Sequence, residues 1–232
     1  MKPPLRVLLV GAAGRMGKAI VDLAKDDPKI DMVAQCDFGD AIEPAMKRSN
    51  VVIDFSHPGA IEEICRAALQ HRRPLVIGTT GHSAEQRSAI EKAAKTVPIV
   101  FASNFSVGVN ALFALTRRAA EILGRDFDAE IIETHHHLKK DAPSGTAKTL
   151  AGILNKALNM ADQIPIQSIR EGDVVGEHTV IFSGPSERLE LSHKASSREI
   201  FGRGALRAAQ WVVGQPPNLY SMQEVLGLQH LR

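Results

Sequence analysis

The chain has 232 residues, 44% apolar and 23% charged, and its 28 lysines and arginines against 26 acids leave a formal net charge of +2. That much apolar material can fill one large core or two smaller ones. The even charge balance excludes a broad electrostatic footprint for nucleic acid or a membrane, and no apolar run approaches the ~20 residues needed to cross a bilayer.

Leu5–Val10 opens the chain with a continuous apolar run, the pattern of a strand buried on both faces. Gly17–Lys25 reads as a helix. Met32–Cys36, Val51–Phe55, Pro74–Gly78 and Pro98–Ala102 repeat the strand signal, with helical patterns at Ala60–His71 and Ala84–Lys95 between them. Ser83 and Gln86 have capping-box spacing ahead of the second of these helices. Asp40–Ser49 has room for two helical turns at most. This alternation implies a parallel sheet with helices on both faces. Beyond Ser106 the pattern changes. A long helix, Val109–Leu123, stops at Gly124, and "AEIIETHH" reads as a strand. Thr146–Leu158 is an amphipathic helix with Ala147, Leu150, Ala151, Leu154 and Leu158 on one face. Three strand-like runs, Ile166–Arg170, His178–Ser183 and Arg188–His193, then follow without helices between them. A last helix, Ile200–Val213, leads into the tail. The expectation is an α/β protein of two domains: residues 1–106 with a parallel sheet, and residues 107–208 as a smaller α+β domain with a mixed or antiparallel sheet. The tail, 209–232, is expected to return to the first domain. Cys36 and Cys65 match no metal or redox spacing and read as reduced, buried thiols of a cytoplasmic protein. "LRVLLVGAAG" lacks the length and charged start of a secretory leader.

Two stretches carry chemistry. "VLLVGAAGRMG" sets Gly11, Gly14 and Gly17 between a strand and a helix. A dinucleotide pyrophosphate needs a tight turn, a bare backbone and a helix N-terminus there. Asp37 stands 20 residues past Gly17 at the end of the second strand, where a carboxylate can hold ribose hydroxyls. It would repel the extra phosphate of NADPH, and no arginine follows until Arg48, so the reading leans to NADH. The competing reading is a plain tight turn with a surface aspartate. "GTTGHS" and "ASNFSVG" follow strand ends on the same sheet edge and suit a wall around a nicotinamide ring.

The second stretch is "ETHHHLKKDAPSGTA", Glu133–Ala147. Pro143, Ser144, Gly145 and Thr146 read as a helix start with outward amides. His135, His136, His137, Lys139 and Lys140 lie just upstream. Amides and cations converging on one spot suggest a carboxylate or phosphate pocket with proton donors. In a strict strand His135 and His136 face opposite sides, so both line one pocket only if the strand ends or bulges there. A metal site and a solvated polar loop compete with this reading. No third cysteine or carboxylate ligand is evident for the first, so no metal is expected.

These motifs, with "VVIDFSHP", "VIGTTG", "FASNFSVGVN", "VGEHTV", "ERLELSHKASSR" and "EVLGL" in the same order, resemble the 4-hydroxy-tetrahydrodipicolinate reductase (dihydrodipicolinate reductase) family over nearly the whole chain. The resemblance implies a Rossmann-type domain plus an α/β domain whose sheet assembles a homotetramer. It also implies reduction, by NADH or NADPH, of a cyclic dicarboxylate in lysine and diaminopimelate biosynthesis. By position, Gly11, Ala12, Ala13, Gly14, Arg15, Met16, Asp37, Gly78, Thr79, Thr80, Ala102, Ser103, Asn104 and Phe105 would bind the cofactor. His135 and Lys139 would be the proton-transfer pair, and His136, Ser144, Gly145 and Thr146 would hold substrate. The chain is shorter than many members between Asp37 and Val51 and before "GDVVGEH", and it carries His57 where several have arginine. The rival readings are a different two-domain dehydrogenase, such as one acting on aspartate, and a catalytically silent cofactor sensor.

Overall fold

The computed structural model describes residues 3–37, 39–160 and 164–228. The chain divides into two compact units. The first is formed by Met1–Phe105 with Glu199–Gly227, and the second is built on Ser106–Arg198. The first unit begins β1 (Leu5–Val10), α1 (Arg15–Lys25), β2 (Ile30–Cys36), α2 (Glu43–Arg48), β3 (Val51–Asp54), α3 (Ile61–His71), β4 (Leu75–Ile77), α4 (Ala84–Ala93) and β5 (Ile99–Phe101). In β1, Val7, Leu8 and Leu9 are fully buried, since helices cover both faces of the sheet. The capping box is formed at α4: Ser83 Oγ accepts the Gln86 N–H at 3.3 Å and Gln86 Oε1 accepts the Ser83 N–H at 2.9 Å. The short connection after β2 holds only α2, whose six residues bury Ala45 and Met46.

The second unit comprises α5 (Val107–Leu123), β6 (Asp128–His135), α6 (Gly145–Leu158), β7 (Ile166–Arg170), β8 (Gly176–Ser183) and β9 (Arg188–Ala195). Its sheet order is β7-β6-β8-β9. The helical crossover through α6 returns β7 parallel to β6, while β8 and β9 run antiparallel, so the sheet is mixed. The apolar stripe of α6, Ala147, Leu150, Leu154 and Leu158, packs with Ile131, Val180 and Phe182 of the sheet. Burial of each large side chain contributes about 1.5–3 kcal/mol. Residues Ile131, Glu133 and His135 alternate onto this covered face.

The chain then runs through α7 (Glu199–Val212), β10 (Leu219–Tyr220) and α8 (Met222–Val225). These complete a six-stranded, all-parallel sheet of order β10-β5-β4-β3-β1-β2. Residues through 208 were expected in the second domain, but all of α7 groups with the first unit. The reason is close packing by small residues. A Cβ on Gly202 would stand 2.8 Å from Leu23, and one on Gly204 would stand 1.8 Å from the Phe105 carbonyl oxygen. Periodicity reveals the helix but not its destination. Residues 229–232 of the tail lie outside the described residues, as does Phe38, where the sequence offers no arginine.

Candidate active site

The strand order changes direction at β1, whose successors β2 and β3 lie on opposite sides of it. Ligands of open α/β sheets bind at such a point, beyond the carboxyl ends of the strands. A cavity of about 370 Å3 lies there, lined by Val10 of β1 and Gly11 just after it, Asp37 and Asp40 after β2, and Phe55 and Ser56 after β3. Gly11 has a φ of +89°, and a Cβ there would stand 2.4 Å from the Phe55 carbonyl oxygen. Gly14 caps α1, so Arg15 and Met16 form its first turn. A Cβ on Gly17 would stand 2.1 Å from the Gly11 oxygen, so this glycine lets helix and turn close together. Ala13, Gly14 and Arg15 are exposed at the mouth. Asp37 accepts the Ala13 N–H through both carboxylate oxygens, at 3.0 and 3.1 Å. The turn, the acid and the helix start thus meet in one place, and their bare backbone fits a pyrophosphate.

The remaining positions assigned to cofactor differ in what they present. Thr80 and Ser103 are exposed, and Asn104 is half-buried. Thr79 is turned inward, its Oγ1 accepting the Ser56 N–H at 2.9 Å. Gly78 makes space for the Phe55 ring, which lies 2.3 Å from where its Cβ would be. Phe105 is 2% exposed and packs on Phe55 with ring centroids 5.5 Å apart. Its side chain is a core element of this unit, which leaves its backbone for ligand contact. Ala102 packs against the same core.

In the second unit β6 ends at His135, so His136 escapes the strand alternation. The Lys139 N–H donates to the His136 carbonyl at 3.0 Å, closing a turn. Lys139 Nζ pairs with Asp141 at 2.7 Å and remains 22% exposed. His137 turns away, its Nδ1 2.8 Å from the Gly172 carbonyl. Ser144 caps α6, and its Oγ accepts the Ala147 N–H at 3.2 Å. Ser144 is 2% exposed, so the open start of the helix is Gly145, with no atom within 4 Å of its Cβ position. Thr146 follows in the first turn, half-buried.

The structure adds residues that the sequence reading passed over. Glu133, at 0% exposure, lies opposite Ser168 on β7 and His178 on β8, while Arg170 lies opposite His135. Glu133 Oε2 meets His135 Nδ1 in direct contact, and its Oε1 accepts from Arg170 at 3.0 Å. Burial pushes the Glu133 carboxyl up, but the Ser168 hydroxyl, the Arg170 guanidinium and the His135 ring outweigh it and hold it below the usual range. Burial lowers His135, with Glu133 opposing and Lys139 and Arg170 assisting. His178 is lowered to about 4, first by burial and then by His135. Its Nε2 is 3.2 Å from Ser144 Oγ. Gly176 leaves room for the His135 ring: a Cβ there would stand 3.0 Å from His135 Nε2. "VGEHTV" holds both Gly176 and His178, so their signal was present but carried no assigned role. Glu133, His135 and His178 offer donor atoms within 4.8 Å of one another. The guanidinium on Glu133 and the ammonium of Lys139 nearby oppose a cation there.

Comparison with known proteins decides the family. Residues 5–105 match "Dihydrodipicolinate reductase, N-terminus" and residues 108–226 match "Dihydrodipicolinate reductase, C-terminus". The chain belongs to the dihydrodipicolinate reductase family. It is 48% identical over 245 residues to the 4-hydroxy-tetrahydrodipicolinate reductase of Akkermansia muciniphila, covering 98% of this chain and all of that one. The Methanoculleus marisnigri protein of the same name is 43% identical over 252 residues, covering 97% of this chain and 100% of the relative. Among solved structures, dipicolinate-bound dihydrodipicolinate reductase from Paenisporosarcina sp. TG-14 superposes with a TM-score of 0.83 at 25% identity, covering 95% of this chain and 98% of that one. The resemblance read from the motifs is therefore correct for both halves of the chain. Within this family, the chain is an NAD(P)H-dependent oxidoreductase.

Proposed function

We propose that the chain converts 4-hydroxy-tetrahydrodipicolinate, with NAD(P)H and a proton, to tetrahydrodipicolinate, oxidised cofactor and water. The observation that carries this reading is the ending of β6: a buried His135 on a buried carboxylate, then Lys139, then an exposed helix start at Gly145. A bound reduced nicotinamide supplies the hydride. The first unit would hold that cofactor along the backbone of the Gly11–Met16 turn and helix start and by the Asp37 carboxylate, with Gly78–Thr80 and Ala102–Phe105 along the same sheet edge. In the second unit the start of α6 at Ser144–Thr146 takes one substrate carboxylate, assisted by the helix dipole, and His136 contacts the other side of the ring. Ser144 contributes through its cap, since its hydroxyl and amide are engaged inward. As negative charge develops towards the ring nitrogen, the Lys139 ammonium stabilises it, and Lys139 or His135 delivers the proton.

The cofactor cavity supports a preference for NADH. Of its described lining residues, Asp37, Asp40 and Glu63 are acidic and none is lysine or arginine. A 2′-phosphate would meet repulsion without a cationic partner. Assembly as a homotetramer and a cytoplasmic location complete the reading. The unpaired, buried Cys36 and Cys65 suit a reducing compartment. Among the described residues no helix is long and apolar enough to cross a membrane.

The test supplies purified protein with substrate made in place from pyruvate and aspartate semialdehyde by the preceding synthase, and follows nicotinamide absorbance. Rapid oxidation, faster with NADH, is expected. Oxidation with NADPH alone keeps the reaction and discards the acidic-cavity argument. A folded protein that binds cofactor but oxidises neither is the silent sensor.

A further inference from the structure

Glu133 is the most deeply buried carboxylate among the described residues of the second unit. An ionised group at that depth persists only when its oxygens are partnered. Oε1 accepts the Arg170 guanidinium at 3.0 Å and the Ser144 N–H at 3.3 Å, and Oε2 lies in ion-pair contact with His135 Nδ1. Arg170 also donates to the Asp141 carbonyl at 2.6 Å, which ties down the loop that carries Lys139. One side chain therefore touches the histidine, the helix cap and, through Arg170, the lysine loop. Stability does not account for it, because a well-packed apolar side chain beside Ile131 would serve the fold as well as a buried ion pair.

We propose that Glu133 is a positioning residue for the reduction: it holds His135 as the Nδ1–H tautomer with Nε2 directed to substrate, and locks that ring to the anion-binding start of α6. This rests on the reductase reading above. With the carboxylate oxygen in contact with Nδ1, a neutral ring is favoured that carries its proton on Nδ1 and its lone pair on Nε2. Gly176 keeps that edge clear, with its Cβ position 3.0 Å from Nε2. Four charged or titratable groups act on this ring: Glu133 from its own strand, Arg170 from β7, His178 from β8 and Lys139 from the loop beyond β6. Glu133 alone among them favours the protonated ring. A substrate bearing two carboxylates would add to its effect and help His135 take up the proton it delivers.

The test compares Glu133→Gln with the wild-type full chain. Expected in the variant are a kcat lower by about 10-fold or more, an unchanged KM for the nicotinamide cofactor, and an alkaline limb of the kcat–pH profile moved to lower pH. Histidine 15N NMR of the wild type, assigned with His135→Asn, should show Nδ1 protonated and Nε2 bare at neutral pH. Wild-type kcat and pH profile in Glu133→Gln would overturn the proposal. So would a loss of kcat with an unmoved limb, which marks a structural role, or an Nε2–H tautomer in the wild type. If the variant does not fold, the wild-type tautomer decides. If the wild type itself turns over no substrate, the reductase reading fails, and the NMR result still judges the Glu133–His135 arrangement by itself.

Discussion

The two functional regions are made from different parts of the peptide. In the first unit the candidate ligand surface is mostly backbone: three glycines in seven residues, a helix start and one acid just after the neighbouring strand. In the second unit it is side chains, gathered from β6, β7, β8 and the cap of α6. A backbone site depends on the conformation of one short segment, so a single added carbon can abolish it. A side-chain site depends on strand register, and each member can be altered while the others stay in place.

The sharpest test of that contrast is Gly17→Val. Its Cβ would stand 2.1 Å from the Gly11 oxygen, so turn and helix must separate. We expect a destabilisation of about 3 kcal/mol or more and loss of NADH binding by fluorescence titration. Retained binding would break the view that spacing of the backbone makes the cradle. In the second unit the corresponding weak point is protonation. The His178 pKa is about 4 when folded, below the 6.5 of the free side chain. The unfolded chain therefore binds more protons between these values, and stability present above pH 6.5 is lost as pH falls towards 4. The full contribution is roughly 3 kcal/mol. His82, His135 and His193, also lowered by burial, act in the same direction. Denaturant midpoints across this range should fall with acid in the wild type and fall by about one proton less in His178→Gln.

Lys139→Ala should lower kcat by about 10²-fold or more while leaving NADH affinity intact. Near-normal turnover would remove Lys139 from the chemistry. The smallest expected effect belongs to Asp37→Ala. It removes a carboxylate that holds the Ala13 N–H and is placed for ribose hydroxyls. NADH binding should weaken by about 10-fold, the scale of a charged hydrogen bond, and NADPH binding by less. Equal losses for both cofactors would separate Asp37 from selection and leave it a support of the turn.

The first unit was readable almost strand by strand, because buried parallel strands are short apolar runs and the glycine turn is a local signal. Asp37 was found by counting residues. The destination of α7 was not, since Gly202 and Gly204 show their purpose only against Leu23 and Phe105. The resemblance implies Phe105 at the cofactor, but only the structure shows that its ring packs in the core on Phe55. In the second unit the chain itself displayed His135, His136, Lys139 and the start of α6, since these sit within a dozen residues. It gave no hint that Glu133, two residues before His135, shares its face for a chemical reason, or that Arg170 and His178 would meet it from other strands.

What the amino-acid sequence determined by itself was everything carried by short range: the periods of 2 and 3.6, the caps, the glycine spacing and the cluster of titratable residues before α6. What only the tertiary structure decided was the pairing of β6 with β7 and β8, which sets Glu133 against His178 and Arg170. Register joins residues some forty positions apart, and its energy lies in packing that no single stretch of the chain contains.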